Sequence, residues 1–408
     1  MGIENEFIVA SYLITGKYDF NKKAKGIAVG LTVGTWTELP EAKKERMAQH
    51  LGKVIDITEL SPDLDGRPRA ICKIGYPVRN LTPDIPALLT TVFGKCSMDG
   101  AIKCLDIEAP EAFLSQLPGP KLGIDKIRER LGIKDRPLLM SIFKQCIGMT
   151  LKELEEAYQN QIAGGVDLVK DDEIFFRDDA APVMQRVRRF KSLSRQKEER
   201  TGQVTWYAVN LTGPVTEMAD QAKRLVEQGA DCLLLNVLPY GFDILHRIAA
   251  DPDVPVPVMA HPSFSGAIYP SGHYGVSAPL LLGKLMRWAG ADIVLYPSPY
   301  GSVAMPREDA LAIAGNLRIE SAVHQRSFPA PAAGIHPGLV PVLFRDFGND
   351  LLVNAGGGIH GHPQGAAAGG KAFVDAIRAA MAGESLKVAA QRSPELQAAL
   401  DQWGCIEE

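Results

Sequence analysis

The feature that most constrains the fold is a regular alternation of apolar strand-like runs and helical patterns in the C-terminal two-thirds of the chain. Eight runs have β-type composition, at residues 137–143, 166–169, 204–209, 232–235, 256–259, 292–295, 328–332 and 351–354. A helical pattern follows each run, at 150–162, 179–196, 214–228, 241–249, 277–289, 306–316, 337–347 and 366–382. Strands that alternate with helices favour a parallel sheet, and eight such units match the size of a (β/α)8 barrel. The alternation therefore predicts a TIM barrel.

The preceding part of the chain has a different pattern. At 408 residues the chain exceeds one ordinary core, so two domains are expected. Strands are predicted at 7–14, 54–60, 69–74 and 102–107, with helices at 21–29, 84–93 and 110–117. This mixture predicts a ferredoxin-like α+β domain over residues 1–125. Prolines and glycines at 118–123 mark its end, and residues 126–408 are assigned to the barrel and a C-terminal helical tail.

The charge balance argues against some partners. The net charge of −4 disfavours nucleic acid or an anionic membrane surface as the main partner. The most basic segment, 186–200, is interpreted as the solvated face of a barrel helix. We therefore predict neither nucleic-acid nor membrane binding.

The N-terminal residues and the cysteines indicate the cellular compartment. Residues 1–6 lack the basic and apolar regions of a signal peptide, and no apolar run reaches membrane-spanning length. Six cysteines occur without a CxxC pair, which is typical of free thiols in a reducing cytoplasm. We predict a cytoplasmic protein.

The predicted strand at 166–169 runs directly into Lys170, Asp171, Asp172 and Glu173. Active sites of parallel barrels lie at the carboxyl ends of the strands, and carboxylates are ligands suited to Mg²⁺. A buried lysine can lose its proton, and its neutral amine can capture CO2 as a carbamate, an anionic oxygen ligand. Spacing alone leaves a second interpretation open, in which Lys170 simply pairs with its neighbours on a solvated turn.

Other polar residues and glycines recur at the same predicted edge. The polar residues that end the other strands are Lys144, Asn210, Asn236 and His261. The last strand runs into a triple glycine at 356–358, which is either a tight turn or a backbone cradle for phosphate, and Gly334 could join it. His360 and His362 lack matching partners and are interpreted as structural.

These residues carry a resemblance to a known family. The stretch from Gly165 to Glu173 resembles the activation motif of ribulose-bisphosphate carboxylase (RuBisCO). Segments 34–37, 136–139 with Lys144, 334–336, 356–358 and 361–363 resemble further motifs of that family. The resemblance implies Mg²⁺ bound by carbamylated Lys170, Asp172 and Glu173. It also implies that Lys144 and His261 contact substrate oxygens and that Gly334, Gly356 and Gly357 hold a phosphate.

Departures from the family pattern argue against carboxylation. Gly30 stands where carboxylases have an essential glutamate, Cys146 replaces a second lysine, and Pro262 replaces an arginine that binds the far phosphate. The segment 297–305, matched to the mobile loop that steers CO2 addition, contains no lysine. The resemblance therefore implies a RuBisCO-like protein that enolises a monophosphorylated ketone.

Lys95 points to one subgroup. Carboxylases have an asparagine at this position, whereas a lysine here resembles the RuBisCO-like enolases of methionine salvage, in which it is the general base. The implied reaction is tautomerisation of 2,3-diketo-5-methylthiopentyl-1-phosphate to 2-hydroxy-3-keto-5-methylthiopentenyl-1-phosphate. The family also implies a homodimer in which Lys95 acts across the subunit interface.

Two alternatives remain open. One is a RuBisCO-like isomerase acting on 5-methylthioribulose 1-phosphate, which Lys95 disfavours. The other is a non-catalytic metal-binding or regulatory protein that kept the barrel, which the joint presence of Lys170, Asp172, Glu173 and Lys95 disfavours.

Overall fold

A computed structural model describes residues 6–34, 40–177 and 179–406, apart from the side chain of Ala42. Most of the motif at 34–37, namely Thr35, Trp36 and Thr37, lies outside the described residues. All six cysteines are described and are free thiols, as predicted.

The N-terminal domain is built on an antiparallel sheet. Its strands are β1 (Phe7–Thr15), β2 (Lys53–Leu60), β3 (Arg69–Pro77) and β4 (Ile102–Glu108). They lie in the order β4-β1-β3-β2. The helices are α1 (Phe20–Gly30), α2 (Glu41–Ala48), α3 (Ile85–Leu89) and α4 (Glu111–Leu114). With α1 after β1 and α3 before β4, this is the ferredoxin-like arrangement that the sequence predicted.

Eight parallel strands form the barrel. They are β5 (Leu138–Ile142), β6 (Leu168–Lys170), β7 (Trp206–Asn210), β8 (Cys232–Asn236), β9 (Val258–His261), β11 (Ile293–Pro297), β12 (Phe328–Ala332) and β13 (Leu352–Ala355). Their order is β12-β11-β9-β8-β7-β6-β5-β13, and contact between β12 and β13 brings the two ends of the sheet together. Each lies where a strand was predicted, because a strand buried on both faces leaves a continuous apolar run in the sequence. The predicted TIM barrel is confirmed.

Helices surround the barrel. They are α5 (Gly123–Leu131), α6 (Leu151–Ala163), α7 (Val183–Thr201), α8 (Met218–Glu227), α9 (Val237–Tyr240), α10 (Phe242–Ala250), α11 (Met286–Trp288), α12 (Arg307–Arg318), α13 (Val340–Phe347), α14 (Gly357–His360), α15 (Ala366–Met381), α16 (Leu386–Ala390) and α17 (Pro394–Trp403). Local sequence sets some ends: Thr150 and Glu153 form a capping box that starts α6, and Gly202 in the left-handed region (φ 70°) ends α7.

Some helical details differ from the prediction. Of the helix predicted at 277–289, Pro279–Leu285 is π-helical, as is Thr90–Gly94 in the helix predicted at 84–93. The helix predicted at 110–117 is only the four residues of α4. Helix α5 was not predicted; its Ile124, Ile127 and Leu131 pack with the apolar side chains inside the barrel. It begins at Gly123, so it spans the domain boundary placed after residue 125, and that boundary stays a prediction.

A short strand links the two domains. Strand β10 (Gly275–Val276), in the connection after β9, pairs in parallel with β4 of the N-terminal sheet. Close by, Lys284 Nζ lies 2.7 Å from an Asp106 carboxylate oxygen. The connection that leaves the barrel after His261 is therefore held by the N-terminal sheet of the same chain.

Candidate functional site

The acidic segment after β6 is fixed by a buried anchor. Asp171 is fully buried, and its carboxylate accepts hydrogen bonds from the Arg186 guanidinium (2.9 Å), the Tyr207 hydroxyl (2.6 Å) and the Asn210 main-chain N–H (3.0 Å). A buried carboxylate with this many charge-assisted partners is strongly held. Asp171 thus anchors this segment to the buried side chains around it, so that Lys170 and Asp172 occupy defined positions at the barrel mouth.

Lys170 is buried at the centre of this mouth. Its side chain is 1% exposed, and Nζ lies 3.0 Å from the Asp171 carbonyl oxygen and 3.6 Å from Glu173 Oε2. Burial is the largest influence on its pKa and lowers it, against the opposing effect of the nearby carboxylates. This environment excludes the interpretation in which Lys170 is a solvated turn residue.

Asp172 and Glu173 each lie close to a side chain from the end of another strand. Asp172 Oδ2 lies 2.9 Å from Lys144 Nζ. Glu173 Oε2 lies 3.3 Å from His261 Nε2. The structure therefore brings together five of the residues that the sequence singled out, from the ends of β5, β6 and β9.

His261 lies between Ser263 and Glu173. Its Nδ1 lies 2.7 Å from the Ser263 hydroxyl oxygen and 3.2 Å from the Ser263 main-chain nitrogen, and its Nε2 lies 3.3 Å from Glu173 Oε2. Burial, followed by the Lys170 charge, lowers the pKa of His261 well below its usual value, so the ring is neutral at pH 7. A neutral imidazole therefore lies beside the Glu173 carboxylate.

Two asparagines have a role that the sequence did not reveal. The side-chain amides of Asn210 and Asn236 both donate to the Glu173 carbonyl oxygen, at 3.2 and 3.1 Å. The Ser263 hydroxyl in turn donates to Asn236 Oδ1 (3.0 Å). The position of both asparagines at strand ends was the available signal, but their shared target could not be deduced from it.

The donor set can be tested against a magnesium ion. Among residues 6–34, 40–177 and 179–406, no group of three or more His, Cys, Asp and Glu side chains is placed to hold a metal. Asp172 and Glu173 alone are two oxygen ligands, fewer than Mg²⁺ takes in most protein sites unless water or substrate completes the set. A third anionic oxygen at Lys170 would suit the ion, because the amine already faces Glu173. The residues fit the metal when Lys170 carries a carbamate.

The glycine segments lie beside this group. A Cβ on Gly356 would lie 2.9 Å from Lys144 Cε, and one on Gly334 (φ 75°) would lie 2.5 Å from the Ser302 main-chain nitrogen. Gly334, with its positive φ and the nearby main chain, therefore requires glycine, whereas the close atom at Gly356 belongs to the flexible end of a lysine side chain. A Cβ on Gly357 would meet no atom of the described residues within 4 Å, so the space in front of Gly357 is open in this part of the chain. The ring of His360 contacts the Ile142 carbonyl oxygen and that of His362 the Glu395 carbonyl oxygen, consistent with structural roles.

A cavity of about 410 Å³ opens over these residues. Its polar wall includes Lys144, Lys170, Glu173, His261 and Asn354. Its apolar lining includes Pro262, Tyr269, Pro297 and Val303, from the end of β11 and the segments that follow β9 and β11. One cavity thus presents both charged and apolar side chains to a ligand.

Lys95 lies elsewhere in the chain. It is exposed, between the π-helical turn Thr90–Gly94 and a 3₁₀ turn at Cys96–Met98, and it lines a second cavity of about 540 Å³ on the N-terminal domain. Gly30 lines the same cavity. The barrel cavity has neither residue in its wall. Within the described part of one chain, Lys95 and the Lys170 group therefore form separate sites.

Together these features define a two-domain TIM-barrel protein with a lysine–carboxylate cluster at the barrel mouth. The family model for the RuBisCO large chain catalytic domain matches residues 123–305 and 319–403, and that for its N-terminal domain matches residues 3–113. The chain therefore belongs to the ribulose bisphosphate carboxylase large-chain family, as its motifs predicted.

Individual relatives agree with this placement. A curated relative from Geobacillus kaustophilus, described as 2,3-diketo-5-methylthiopentyl-1-phosphate enolase, is 52% identical over 407 residues, with 98% of each chain covered. The crystal structure of a rubisco-like protein (MtnW) from Alicyclobacillus acidocaldarius superposes with a TM-score of 0.93 at 51% identity, covering 98% of this chain and 100% of that one. A dimeric archaeal Rubisco from Hyperthermus butylicus superposes with a TM-score of 0.88 at 29% identity, covering 100% and 97%.

None of the described helices combines the length and the apolar character that crossing a membrane requires.

Proposed function

We propose that this protein is a 2,3-diketo-5-methylthiopentyl-1-phosphate enolase of methionine salvage. The observation that carries the proposal is the buried Lys170 beside Glu173 and Asp172, in a chain that is 52% identical to a relative with that description. The reaction moves one proton from C1 of the substrate and delivers one to the C2 oxygen, which produces the 2-hydroxy-3-keto enol.

The metal site of the proposal consists of Lys170 as its carbamate, Asp172 and Glu173, holding one Mg²⁺. When bound, Mg²⁺ supplies Lewis-acid polarisation of the substrate carbonyl. The protein residues prepare this site in advance. Asp171 anchors the segment, Asn210 and Asn236 hold the Glu173 carbonyl, and His261 Nε2 lies 3.3 Å from the Glu173 carboxylate.

The charged and apolar side chains of the barrel cavity suit the two ends of this substrate. Gly334, Gly356 and Gly357 are proposed to receive the phosphate on main-chain N–H groups, beside the Lys144 ammonium. The methylthio end then reaches the apolar lining formed by Pro262, Tyr269, Pro297 and Val303. Binding of both ends of the substrate would orient its C1 and ketone over Lys170, Asp172 and Glu173.

Lys95 is proposed as the base that removes the C1 proton. Because Lys95 lies on a different surface from its own barrel cavity, we propose that the partner subunit's Lys95 completes each site in a homodimer. The same arrangement would cover the open mouth of the barrel and shield the enolate from water. We also propose that the enzyme acts in the cytoplasm.

Carboxylation is not part of the proposal. Pro262 lines the cavity where carboxylases bind the far phosphate with an arginine, and Gly30 lines the Lys95 cavity where they have a glutamate. Cys146 is buried, and burial raises the pKa of its thiol to about 11. None of these side chains can supply the charges that carboxylation uses.

The test is the absorbance of the conjugated enol formed from the diketone phosphate, measured with and without Mg²⁺ and bicarbonate. We expect a rise that needs both additions in the wild type. Pro262→Arg tests the substrate specificity. It should lower kcat/KM for the methylthio substrate by about tenfold or more, because it places a charge against the apolar methylthio tail. No rise from folded wild-type protein that binds Mg²⁺ would refute the proposal and favour a ketose-phosphate isomerase.

A further inference from the structure

The C-terminal end of the chain contacts both glycine segments. After α17, the Ile406 main-chain N–H donates to the Gly338 carbonyl oxygen (3.0 Å), and the Gln402 side-chain amide donates to the Gly361 carbonyl oxygen (3.1 Å). Gly338 belongs to the segment that continues from Gly334 after β12, and Gly361 to the segment that continues from Gly356 after β13. One short stretch of chain, residues 402–406, is therefore hydrogen-bonded to both glycine segments.

Trp403 lies at the centre of this junction. Its ring stacks on His336 with centroids 6.0 Å apart and planes 26° apart, and it also lies 6.4 Å from the ring of His362. A Cβ on Gly361 would lie 3.6 Å from Trp403 Cζ2. The indole is thus packed against one residue of each segment, two residues beyond Gly334 and one beyond Gly361.

The two segments also contact each other closely. A Cβ on Gly358 would lie 2.3 Å from the Ile335 carbonyl oxygen. A Cβ on Gly338 would lie 2.0 Å from the Gly404 carbonyl oxygen. Main chain packs on main chain at both places, so the segments have little freedom to move apart while the C-terminal stretch stays in place.

We propose that Trp403 is a positioning residue that sets the spacing of the two phosphate-binding glycine segments. This inference rests on the proposed function, in which main-chain N–H groups of both segments hold one phosphate. A phosphate bound by N–H groups from two segments needs those groups at a defined separation. Holding them there in the free protein removes a cost of ordering from the binding step.

Gln402, Trp403 and Ile406 together form what we call the C-terminal clamp, and its loss should weaken substrate binding rather than the chemical step. The hydrogen bonds and ring contacts of the clamp given above involve neither Lys95 nor the proposed metal ligands, so the contribution of those residues to breaking the C1–H bond should stay the same. We therefore expect Trp403→Ala to raise KM for the diketone phosphate about tenfold while kcat changes by less than about twofold. Trp403→Phe keeps an aromatic ring against His336 and should stay near the wild-type KM.

Two further variants separate positioning from general stability. Leu396→Ala removes a fully buried side chain from the same helix, α17, and is the matched control for loss of packing. It should lower the melting temperature without raising KM. Gln402→Ala removes an exposed side chain that donates to Gly361, and should raise KM about twofold at unchanged stability. Gln402→Ala also serves if Trp403→Ala fails to fold.

The experiment measures KM, kcat and Mg²⁺ affinity for the four variants, together with hydrogen–deuterium exchange of segments 334–338 and 356–361. We expect faster exchange in both segments of Trp403→Ala, with Mg²⁺ affinity unchanged. An unchanged KM in Trp403→Ala, or an equal rise in Leu396→Ala, would overturn the inference. If the wild type does not enolise the diketone phosphate, the proposed function fails, and unchanged exchange in Trp403→Ala would separately refute the clamp.

Discussion

His261 Nε2 lies 3.3 Å from Glu173 Oε2, and the other ring nitrogen, Nδ1, lies 2.7 Å from the Ser263 hydroxyl oxygen. In the proposed metal site, a histidine beside a ligating carboxylate would orient that ligand without touching the ion. Such partners are commonly worth 10–100-fold in metal affinity.

His261→Gln should therefore weaken Mg²⁺ binding by about 10–100-fold in the presence of bicarbonate. Calorimetric titration measures this directly. His50→Gln, on the N-terminal domain beside Asn80, is the control and should bind Mg²⁺ like the wild type. Wild-type affinity in His261→Gln would show that the histidine serves only the substrate.

Mixed dimers test the proposed placement of Lys95. Lys95→Ala and Lys170→Ala should each lose activity by about 10²-fold or more, because one lacks the proposed base and the other a proposed metal ligand. After the two variants are refolded together, about a quarter of the sites should combine an intact barrel with the partner subunit's Lys95 and recover activity.

The control for this mixing uses two barrel residues. Lys144→Ala and Lys170→Ala both damage the barrel side, so refolding them together should restore nothing. If the Lys95→Ala and Lys170→Ala mixture also stays inactive, Lys95 does not act across an interface.

Arg186→Met should destabilise the fold by about 3–5 kcal/mol, because it leaves the Asp171 carboxylate buried without its cationic partner. Denaturant unfolding measures the loss. Arg188→Met, an exposed position on the same helix, should change stability by less than about 0.5 kcal/mol. A similarly small effect in Arg186→Met would mean that Tyr207 and the Asn210 N–H are enough to hold Asp171.

Lys197 predicts a pH dependence of stability. It is buried and donates to Thr205 Oγ1 (2.7 Å), and burial lowers its pKa to about 8. The unfolded lysine keeps its ordinary value near 10.5, so the unfolded state binds more protons than the native state between these values. The contribution of Lys197 to the free energy of unfolding should therefore rise by about 1 kcal/mol from pH 7 to pH 9.

The measurement compares the wild type with Lys197→Met across that range. The stability difference between them should shift in favour of the wild type as pH rises. A pH-independent difference would mean that Lys197 keeps its proton throughout.

Much of the fold could be predicted from local sequence. The strands of the barrel were placed correctly because each is buried on both faces and must be apolar along its length, as in Cys232–Asn236. The π-helical segment Pro279–Leu285 was not foreseen, because a change from i→i+4 to i→i+5 hydrogen bonding over so short a segment leaves no distinct pattern in the sequence. Helix α5 was not predicted, because its apolar stripe is short and follows a segment rich in proline and glycine.

In the candidate site, too, some features were predictable from the sequence and others required the tertiary structure. Sequence alone identified the residue types of the catalytic proposal, since a lysine and carboxylates that directly follow a buried strand must share the mouth of a parallel barrel. Only the tertiary structure could show that Asp171 turns into the core while Glu173 turns to His261, or that Asn210 and Asn236 share one carbonyl oxygen. It alone brought Trp403 against His336 and His362. The physical reason is that strand ends are specified by short-range burial, whereas side-chain partners depend on contacts between residues far apart in the chain, which no local pattern encodes.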